Sequence, residues 1–309
     1  MEAFMIVGNF SGRFKSATAL LLTMAAAGIF ACSSGGREQN KAKRTFTDDL
    51  GRKVEVANVV DRAISLAPSV TESVFAAGAG RKLVGVTTYC NYPPEARQIA
   101  RVGDTQAPSI ETIVALRPDL VLISTASQLQ GTLPQIERQN IPVFVADPKN
   151  LEQIAQNLRT FGQMFSTEAI ADQAAQQLES AKQLVVEKVR DLPRPRVFVQ
   201  ISREPLFTVG ADSYLIDVVE KAGGEVVTKQ IPTAYPKISR ETAVSLQPDV
   251  IILSTSEDNG EPNDVFRDSP AVKAGRVYRF DADILSRPGP RLILALADIA
   301  KALHPGIEI

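Results

Sequence analysis

Residues 109–125, SIETIVALRPDLVLIST, return 130 residues later as residues 239–255, SRETAVSLQPDVIILST. Each copy begins with a serine that is suited to cap a helix, and continues through a Pro-Asp turn into an apolar strand. Two copies placed so far apart do not make a solenoid. They predict two similar lobes that each contain the same helix, turn and buried strand.

The sequence around these copies alternates short apolar runs with helical stretches, which is the pattern of an α/β protein. Between the copies, residues 166–192 carry apolar side chains three or four residues apart on one face, and Pro193 ends the pattern. A helix of about 25 residues spans about 37 Å. We therefore predict one long helix that joins a first lobe, 45–165, to a second lobe, 193–309. The alternative is a long core helix inside a single domain.

The N-terminal residues have the composition of an export signal. Arg13 and Lys15 precede an apolar run that ends at Cys32 and is too short for a comfortable membrane span. The end of this run resembles the lipobox of bacterial lipoproteins. We expect a signal peptide over 1–31, a lipid on Cys32 that holds the exported, periplasmic protein at a membrane, and a flexible tether over 32–44. The alternative is an ordinary cleaved signal that leaves Cys32 as a free thiol.

Charge and composition exclude several classes of function. The 309 residues include 34 basic and 35 acidic side chains, for a net charge of −1, which disfavours binding to a nucleic acid backbone. The chain has a single histidine, His304, which disfavours a zinc site or a catalytic triad because both usually use imidazole groups. We therefore expect no catalytic residues, no metal site and no resident cofactor.

Three further segments add to the repeats: SLAPSVTE at 65–72, VGVTTYCNYP at 84–93 and RPGPR at 287–291. In this order and spacing, the segments resemble the solute-binding proteins of ATP-driven importers for cobalamin and iron chelates, and most of all the cobalamin-binding branch. The resemblance runs from Phe46 to Pro305. It implies an α/β fold of two similar lobes joined by a single long backbone helix, with the ligand in the cleft between the lobes.

The resemblance also implies a set of ligand-binding side chains. Aromatic faces hold a flat, largely apolar macrocycle at little cost in entropy, and charged side chains at the rim would bind its polar groups. The chain has no tryptophan, and each aromatic side chain has packing in the core as its alternative role. The implied residues are Ser69, Tyr89, Thr105 and Ser124 in the first lobe and Phe207, Tyr235, Asp283 and Arg287 in the second.

Glu111 and Glu241 occupy matching places in the two repeat copies. The resemblance implies that they dock onto arginines of the membrane permease. A carboxylate in the first turn of a capped helix is also stabilised by the helix dipole, so capping alone is the alternative. Glu72, close after Ser69, is interpreted only as a capping residue, and Cys90 as an inert packed cysteine rather than a ligand for cobalt or iron.

The expected function is therefore that of a monomeric, lipid-anchored carrier, which captures cobalamin and delivers it to the permease and ATPase of an importer. The alternative ligand is a ferric siderophore or haem. Anionic siderophores require several convergent cations, and Arg203 and Arg287 are the only candidates that the sequence places in the cleft. Two other classes stay open: an enzyme, because many transferases also have two α/β lobes around a cleft, and an adhesion protein without a small ligand.

Overall fold

The computed structural model describes residues 42–125 and 129–309. The segment from Lys41 to Ile309 forms one compact unit. The expected signal peptide, the lipidated Cys32 and most of the expected tether lie outside the described residues. Within the described residues, no helix combines the length and the apolar character needed to cross a membrane.

An antiparallel hairpin opens the described chain. It pairs β1 (Lys43–Thr47) with β2 (Lys53–Ala57), so the first strand begins two residues before the predicted start of the lobe. The turn is held by Asp48, whose Oδ1 accepts hydrogen bonds from the backbone N–H groups of Leu50 and Arg52 at 3.1 and 2.8 Å. The next residue, Asp49, donates its backbone N–H to the carbonyl of Val145 at 3.0 Å, which fastens the hairpin to the first lobe.

The first lobe is a four-stranded parallel sheet with the spatial order β4-β3-β5-β6. Its strands are short, and β3, β5 and β6 are buried along their whole length, as expected for a sheet with both faces covered. The elements are β3 (Ala63–Ser65), α1 (Pro68–Ala76), β4 (Leu83–Val86), α2 (Ile110–Ala115), β5 (Leu120–Ile123), α3 (Leu129–Glu137) and β6 (Val143–Val145).

Two helices lie between β6 and the second lobe, and the second of them joins the lobes. The first, α4 (Leu151–Phe165), ends at Ser166, which adopts a left-handed conformation with φ 59° and turns the chain. The second, α5 (Glu168–Val189), has 22 residues and a length of about 33 Å. It occupies the place of the long helix predicted over 166–192, and α4 packs alongside it.

The second lobe repeats the topology of the first. The strands that correspond to β3, β4, β5 and β6 are, in the same order, β7, β9, β10 and β11. In the first lobe β3 lies between β4 and β5, and in the second lobe β7 lies between β9 and β10. The added strand β8 pairs antiparallel with β7. The elements are β7 (Arg196–Ser202), β8 (Phe207–Thr208), α6 (Tyr214–Lys221), β9 (Glu225–Val226), α7 (Arg240–Leu246), β10 (Val250–Thr255), α8 (Pro270–Lys273), β11 (Val277–Asp281), α9 (Ala282–Leu285) and α10 (Leu292–Leu303).

The two sequence repeats therefore form equivalent units, α2 with β5 and α7 with β10, and the predicted pair of similar α/β lobes is confirmed. One continuous apolar core runs from the first lobe through α4 and α5 into the second lobe, with members such as Val74, Phe161, Leu178, Leu215 and Leu296. Smaller clusters cover the remaining sheet faces. A core shared through α4 and α5 resists a wide separation of the lobes.

An ionic contact at the start of α4 predicts a pH dependence of stability. Glu152 accepts hydrogen bonds from Lys182 on α5 at 2.7 Å and from Lys221 on α6 at 3.0 Å. Burial raises the pKa of Glu152, but the hydrogen bonds from the two lysines outweigh it and lower that pKa from 4.5 to about 2. Because the folded-state pKa is depressed, the stabilisation is present above pH 4.5 and is lost as the pH falls toward 2.

We expect Glu152→Gln to lower the free energy of unfolding at pH 7 by about 1 kcal/mol or less, because the carboxylate is half exposed. Urea unfolding of both proteins between pH 7 and pH 3 checks this, and the difference between them should shrink in the acidic range. A difference that grows on acidification would contradict the assignment.

Candidate functional site

A cavity of about 570 Å³ lies between the two lobes. In the first lobe its walls come from loops that follow the carboxyl ends of the parallel strands, which is where α/β proteins bind ligands. Second-lobe loops around α6, α9 and the segment before α7 close the other side. The lining residues are Ala67, Pro68, Ser69, Tyr89, Thr105, Ser124, Thr125, Asp147, Lys149, Asp212, Tyr214, Ala234, Tyr235, Asp283, Ser286, Arg287 and Pro288.

The structure brings together all but one of the eight ligand-binding side chains that the family resemblance implied. Phe207 is the exception, because it lies on β8, half buried, and does not line the cavity. The first-lobe group is Ser69, Tyr89, Thr105 and Ser124, and the second-lobe group is Tyr235, Asp283 and Arg287.

Tyrosines supply the aromatic surface of the cleft. Tyr89 and Tyr235 come from different lobes and both line the cavity, where the residues are 59% and 43% exposed. Tyr214 also lines the cavity but is buried, and it donates its hydroxyl to the carbonyl of Leu285 at 2.6 Å. Burial raises the pKa of Tyr214 well above its ordinary value, which keeps this phenol neutral. The exposed surfaces of Tyr89 and Tyr235 can contact a ligand, while hydrogen bonds with Tyr214 and Ser213 hold the hydroxyl of Tyr235 in the wall.

The charged groups of the cleft are largely paired with one another. Asp147 contacts Lys149 at 2.5 Å and accepts a hydrogen bond from Thr125. Asp283 contacts Arg287 at 2.6 Å. Together with Asp212, the described walls carry three carboxylates and two cations, a net charge of −1. No group of three or more His, Cys, Asp or Glu side chains in the described ranges is arranged to hold a metal ion.

Ser124 is a polar group that a ligand could satisfy. It follows β5 directly, lines the cavity, and is 4% exposed. Its hydroxyl oxygen is buried and has no hydrogen-bond partner within the described ranges. A buried hydroxyl without a hydrogen-bond partner destabilises the protein. A ligand amide or carbonyl that forms a hydrogen bond with Ser124 would therefore stabilise the complex.

The capping interpretation of Glu72 is wrong. Pro68 occupies the first position of α1, the helix starts after Ala67 without a side-chain cap, and its first turn contains no acidic residue. Glu72 therefore lies in the second turn, where its side chain is only 2% exposed and pairs with Arg287 and Arg291 of the second lobe. An acidic residue between the apolar positions Val70 and Val74 was the available signal for a buried ion pair.

Only one of the two arginines predicted for the cleft lines the cavity. Arg203, one of the two candidates, contacts Asp264 at 3.3 Å and does not line the cavity. Lys149 lines it instead and was not among the predicted cations, although the Asp147-Pro-Lys segment follows the buried strand β6. Cys90 is fully buried, with its Sγ 3.1 Å from the hydroxyls of Thr71 and Thr87, as expected for a packed cysteine.

The two expected docking carboxylates are exposed at equivalent positions. Ser109 accepts a hydrogen bond from the N–H of Thr112 at the start of α2, and Ser239 does the same for Thr242 at the start of α7. Glu111 and Glu241 follow these caps by two residues and project into solvent. Hydrogen bonds from its own N–H and from Ser239 lower the pKa of Glu241, so this carboxylate is charged at neutral pH.

A scan against protein families matches residues 64–284 to the family described as periplasmic binding protein. The chain belongs to this family. Vitamin B12-binding protein of Yersinia pestis (strain Pestoides F) is 32% identical over 247 residues, which cover 80% of this chain and 88% of the relative. The resemblance stated from the sequence is thereby confirmed.

Solved structures of periplasmic binding proteins share the architecture. The periplasmic vitamin B12 binding protein of Vibrio cholerae superimposes with a TM-score of 0.71 at 30% identity, covering 79% of this chain and 96% of that one. A periplasmic heme binding protein from Pseudomonas aeruginosa has a TM-score of 0.72 at 24% identity, covering 81% and 95%, and supports the fold alone. This periplasmic binding protein thus has the two-lobed, helical-backbone fold of substrate-binding transport proteins.

Proposed function

We propose that this periplasmic binding protein binds a corrinoid, cobalamin, in the cleft between its lobes and delivers it to the permease of an ABC importer, without catalysis. The observation that carries the proposal is the wall of the cleft. Two exposed tyrosine rings lie on opposite lobes, and both wall cations are already paired with carboxylates. A neutral macrocycle with amide substituents fits such a wall, because carboxylates accept hydrogen bonds from amides and aromatic rings cover its apolar faces.

The charge of the cleft argues against anionic ligands. A ferric siderophore or a haem with two propionates would need cations that are free to pair with it. Lys149 contacts Asp147, and Arg287 contacts both Asp283 and Glu72. An anion would have to break these contacts and would meet a wall with a net charge of −1. The names of the Yersinia and Vibrio relatives, which describe vitamin B12-binding proteins, support the same choice.

Haem is a second candidate because of Tyr89. Its phenol is 59% exposed in the cleft, and a tyrosine can serve as an axial ligand of haem iron. The periplasmic heme-binding protein RhuT from Roseiflexus sp. RS-1 is 26% identical, with a TM-score of 0.69. Haem therefore belongs in the panel of ligands that tests the proposal.

Delivery would use Glu111 and Glu241 as docking sites for cations of the permease. Their exposure and their equivalent places on the two lobes let both contact one partner surface. Export through the signal peptide over 1–31, a lipid on Cys32 and action as a monomer complete the proposal. A lipid anchor with a tether would hold the carrier near the membrane that contains the importer.

Equilibrium dialysis of the fragment 35–309 against equal concentrations of cyanocobalamin, haemin and a ferric siderophore tests the ligand. Absorbance spectra distinguish the three compounds on the protein side of the membrane. We expect the protein to retain cyanocobalamin in preference to the other two. Preferential retention of haemin or of the ferric siderophore would reject the corrinoid and keep the carrier function.

A further inference from the structure

The two lobes are joined beside the cleft by a polar cluster with a buried centre, which we name the interlobe clamp. It consists of Glu72 and Asn91 from the first lobe and Asp283, Arg287 and Arg291 from the second. We propose that the clamp fixes the spacing of the lobes and that Glu72 is a positioning residue, which orients Arg287 and Asp283 toward the ligand. The part that concerns the ligand rests on the proposed function.

Glu72 is the centre of the clamp. Arg291 donates two hydrogen bonds to its carboxylate, from Nε at 2.8 Å and from Nη2 at 2.6 Å, and Arg287 donates a third from Nη1 at 3.1 Å. The side chain of Glu72 is 2% exposed and that of Arg287 is 9% exposed. A carboxylate buried to this degree depends on its partners, and both partners belong to the other lobe. Separation of the lobes would leave the charge of Glu72 uncompensated.

Asn91 extends the clamp to the cleft. Its side-chain oxygen accepts a hydrogen bond from Arg287 at 2.7 Å, and its amide nitrogen donates to Asp283 at 3.0 Å. Arg287 therefore contacts three clamp partners at once, and Asp283 contacts two. Both side chains line the cavity, whereas Glu72 does not. Glu72 would act on a ligand only through Arg287 and Asp283.

The backbone around the clamp is also closely fitted. Gly289, between the two arginines, lies so near the first turn of α1 that a Cβ atom there would be 3.2 Å from the carbonyl oxygen of Ser69. The guanidinium of Arg291 lies 4.1 Å from the centre of the Tyr92 ring, a cation–π contact between the lobes. These contacts place the RPGPR segment firmly against the first lobe.

Another polar contact between the lobes is weaker. Glu152 on α4 pairs with Lys221 on α6 at 3.0 Å, but its side chain is 48% exposed. Water already reaches this pair, whereas moving the lobes apart would remove both arginine partners of the buried Glu72. The clamp is thus the contact whose loss should change the spacing of the lobes.

A distance measurement in the ligand-free protein tests the clamp. Val114 on α2 and Val244 on α7 are 38% and 50% exposed and occupy equivalent places on the two lobes. Spin labels on cysteines introduced at these positions in the fragment 35–309 report the interlobe distance by double electron–electron resonance. The remaining cysteine, Cys90, is fully buried and will not react. We expect one narrow distribution, which broadens and shifts to longer distances in Glu72→Gln.

Glu179→Gln is the matched control. Glu179 also receives two hydrogen bonds from one arginine, Arg159, at 2.7 and 2.8 Å, but this pair joins α4 to α5 and not the two lobes. The control should leave the distance distribution unchanged. Arg291→Gln retains the pair of Glu72 with Arg287 and should give a smaller change of the same kind. An unchanged distribution in both clamp variants overturns the clamp.

Cyanocobalamin affinity tests the positioning role separately. We expect Glu72→Gln to weaken binding at least about tenfold, since it frees two cleft residues to adopt other orientations, while Glu179→Gln keeps the wild-type affinity. Equal affinities of Glu72→Gln and wild type would overturn the positioning role. If wild type itself fails to bind cyanocobalamin, the proposed ligand is rejected, and the distance measurement alone decides whether the clamp exists.

Discussion

Replacement of both Tyr89 and Tyr235 with alanine should weaken cobalamin binding about 100-fold, which corresponds to about 3 kcal/mol. The two rings lie on opposite lobes, line the cavity and have large exposed faces. Their exposed faces can therefore contact a flat ligand, and loss of both rings removes apolar contact area on both lobes. Titration calorimetry of the double variant and wild type measures the effect.

The control for this prediction is Tyr278→Ala. Tyr278 lies on β11, half buried against the core, and does not line the cavity. This substitution should lower the stability of the fold and leave the affinity for cobalamin within about twofold of wild type. An unchanged affinity in the double variant, or an equal loss in Tyr278→Ala, would show that the ligand does not bind between these rings.

Charge reversal at both Glu111 and Glu241 should reduce cobalamin uptake at least tenfold, to about the level without the protein, while the affinity for cobalamin stays unchanged. Both carboxylates are exposed on short capped helices outside the cavity, so lysine there does not disturb the cleft. The two introduced lysines would face the cations expected on the permease and repel them. Uptake of labelled cobalamin by cells that lack this protein and express the Glu111→Lys/Glu241→Lys variant measures the result.

A second double reversal controls for the change in net charge. Glu168 and Glu187 are exposed on the linking helix α5, so Glu168→Lys/Glu187→Lys changes the net charge by the same amount at another place. We expect normal uptake with this variant. Reduced affinity for cobalamin in Glu111→Lys/Glu241→Lys would mean that the carboxylates contribute to the cleft rather than to docking.

The fold could be predicted because its signals are local and occur twice. A capping serine, a Pro-Asp turn and an apolar strand each depend on a few neighbouring residues, and their return after 130 residues indicated two lobes with one topology. The long helix α5 was predictable from the periodicity of its apolar face. The hairpin of β1 and β2 was not predicted, because its first residues lie in a charged segment that was assigned to the flexible tether, although its strands do alternate exposed with more buried residues.

Side chains that act between the lobes were harder to assign. Glu72 is 215 residues from Arg287, so no local pattern distinguishes its buried pairing from the capping role first given to it. Lys149 enters the cleft because its loop follows β6, a placement that depends on strand order. Phe207 lies on a short antiparallel strand beside β7, and the sequence does not show that this strand directs it away from the cavity. Contacts between distant elements require the assembled fold.

Isothermal titration of cyanocobalamin into the fragment 35–309 tests the central claim, that the interlobe cleft is a corrinoid site. We predict saturable binding of one cobalamin per protein with a Kd of about 1 μM or tighter, which corresponds to about −8 kcal/mol or more favourable. No saturable heat with cyanocobalamin, together with a clear one-to-one isotherm for haemin or a ferric siderophore, would contradict the claim and assign the cleft to iron chelates.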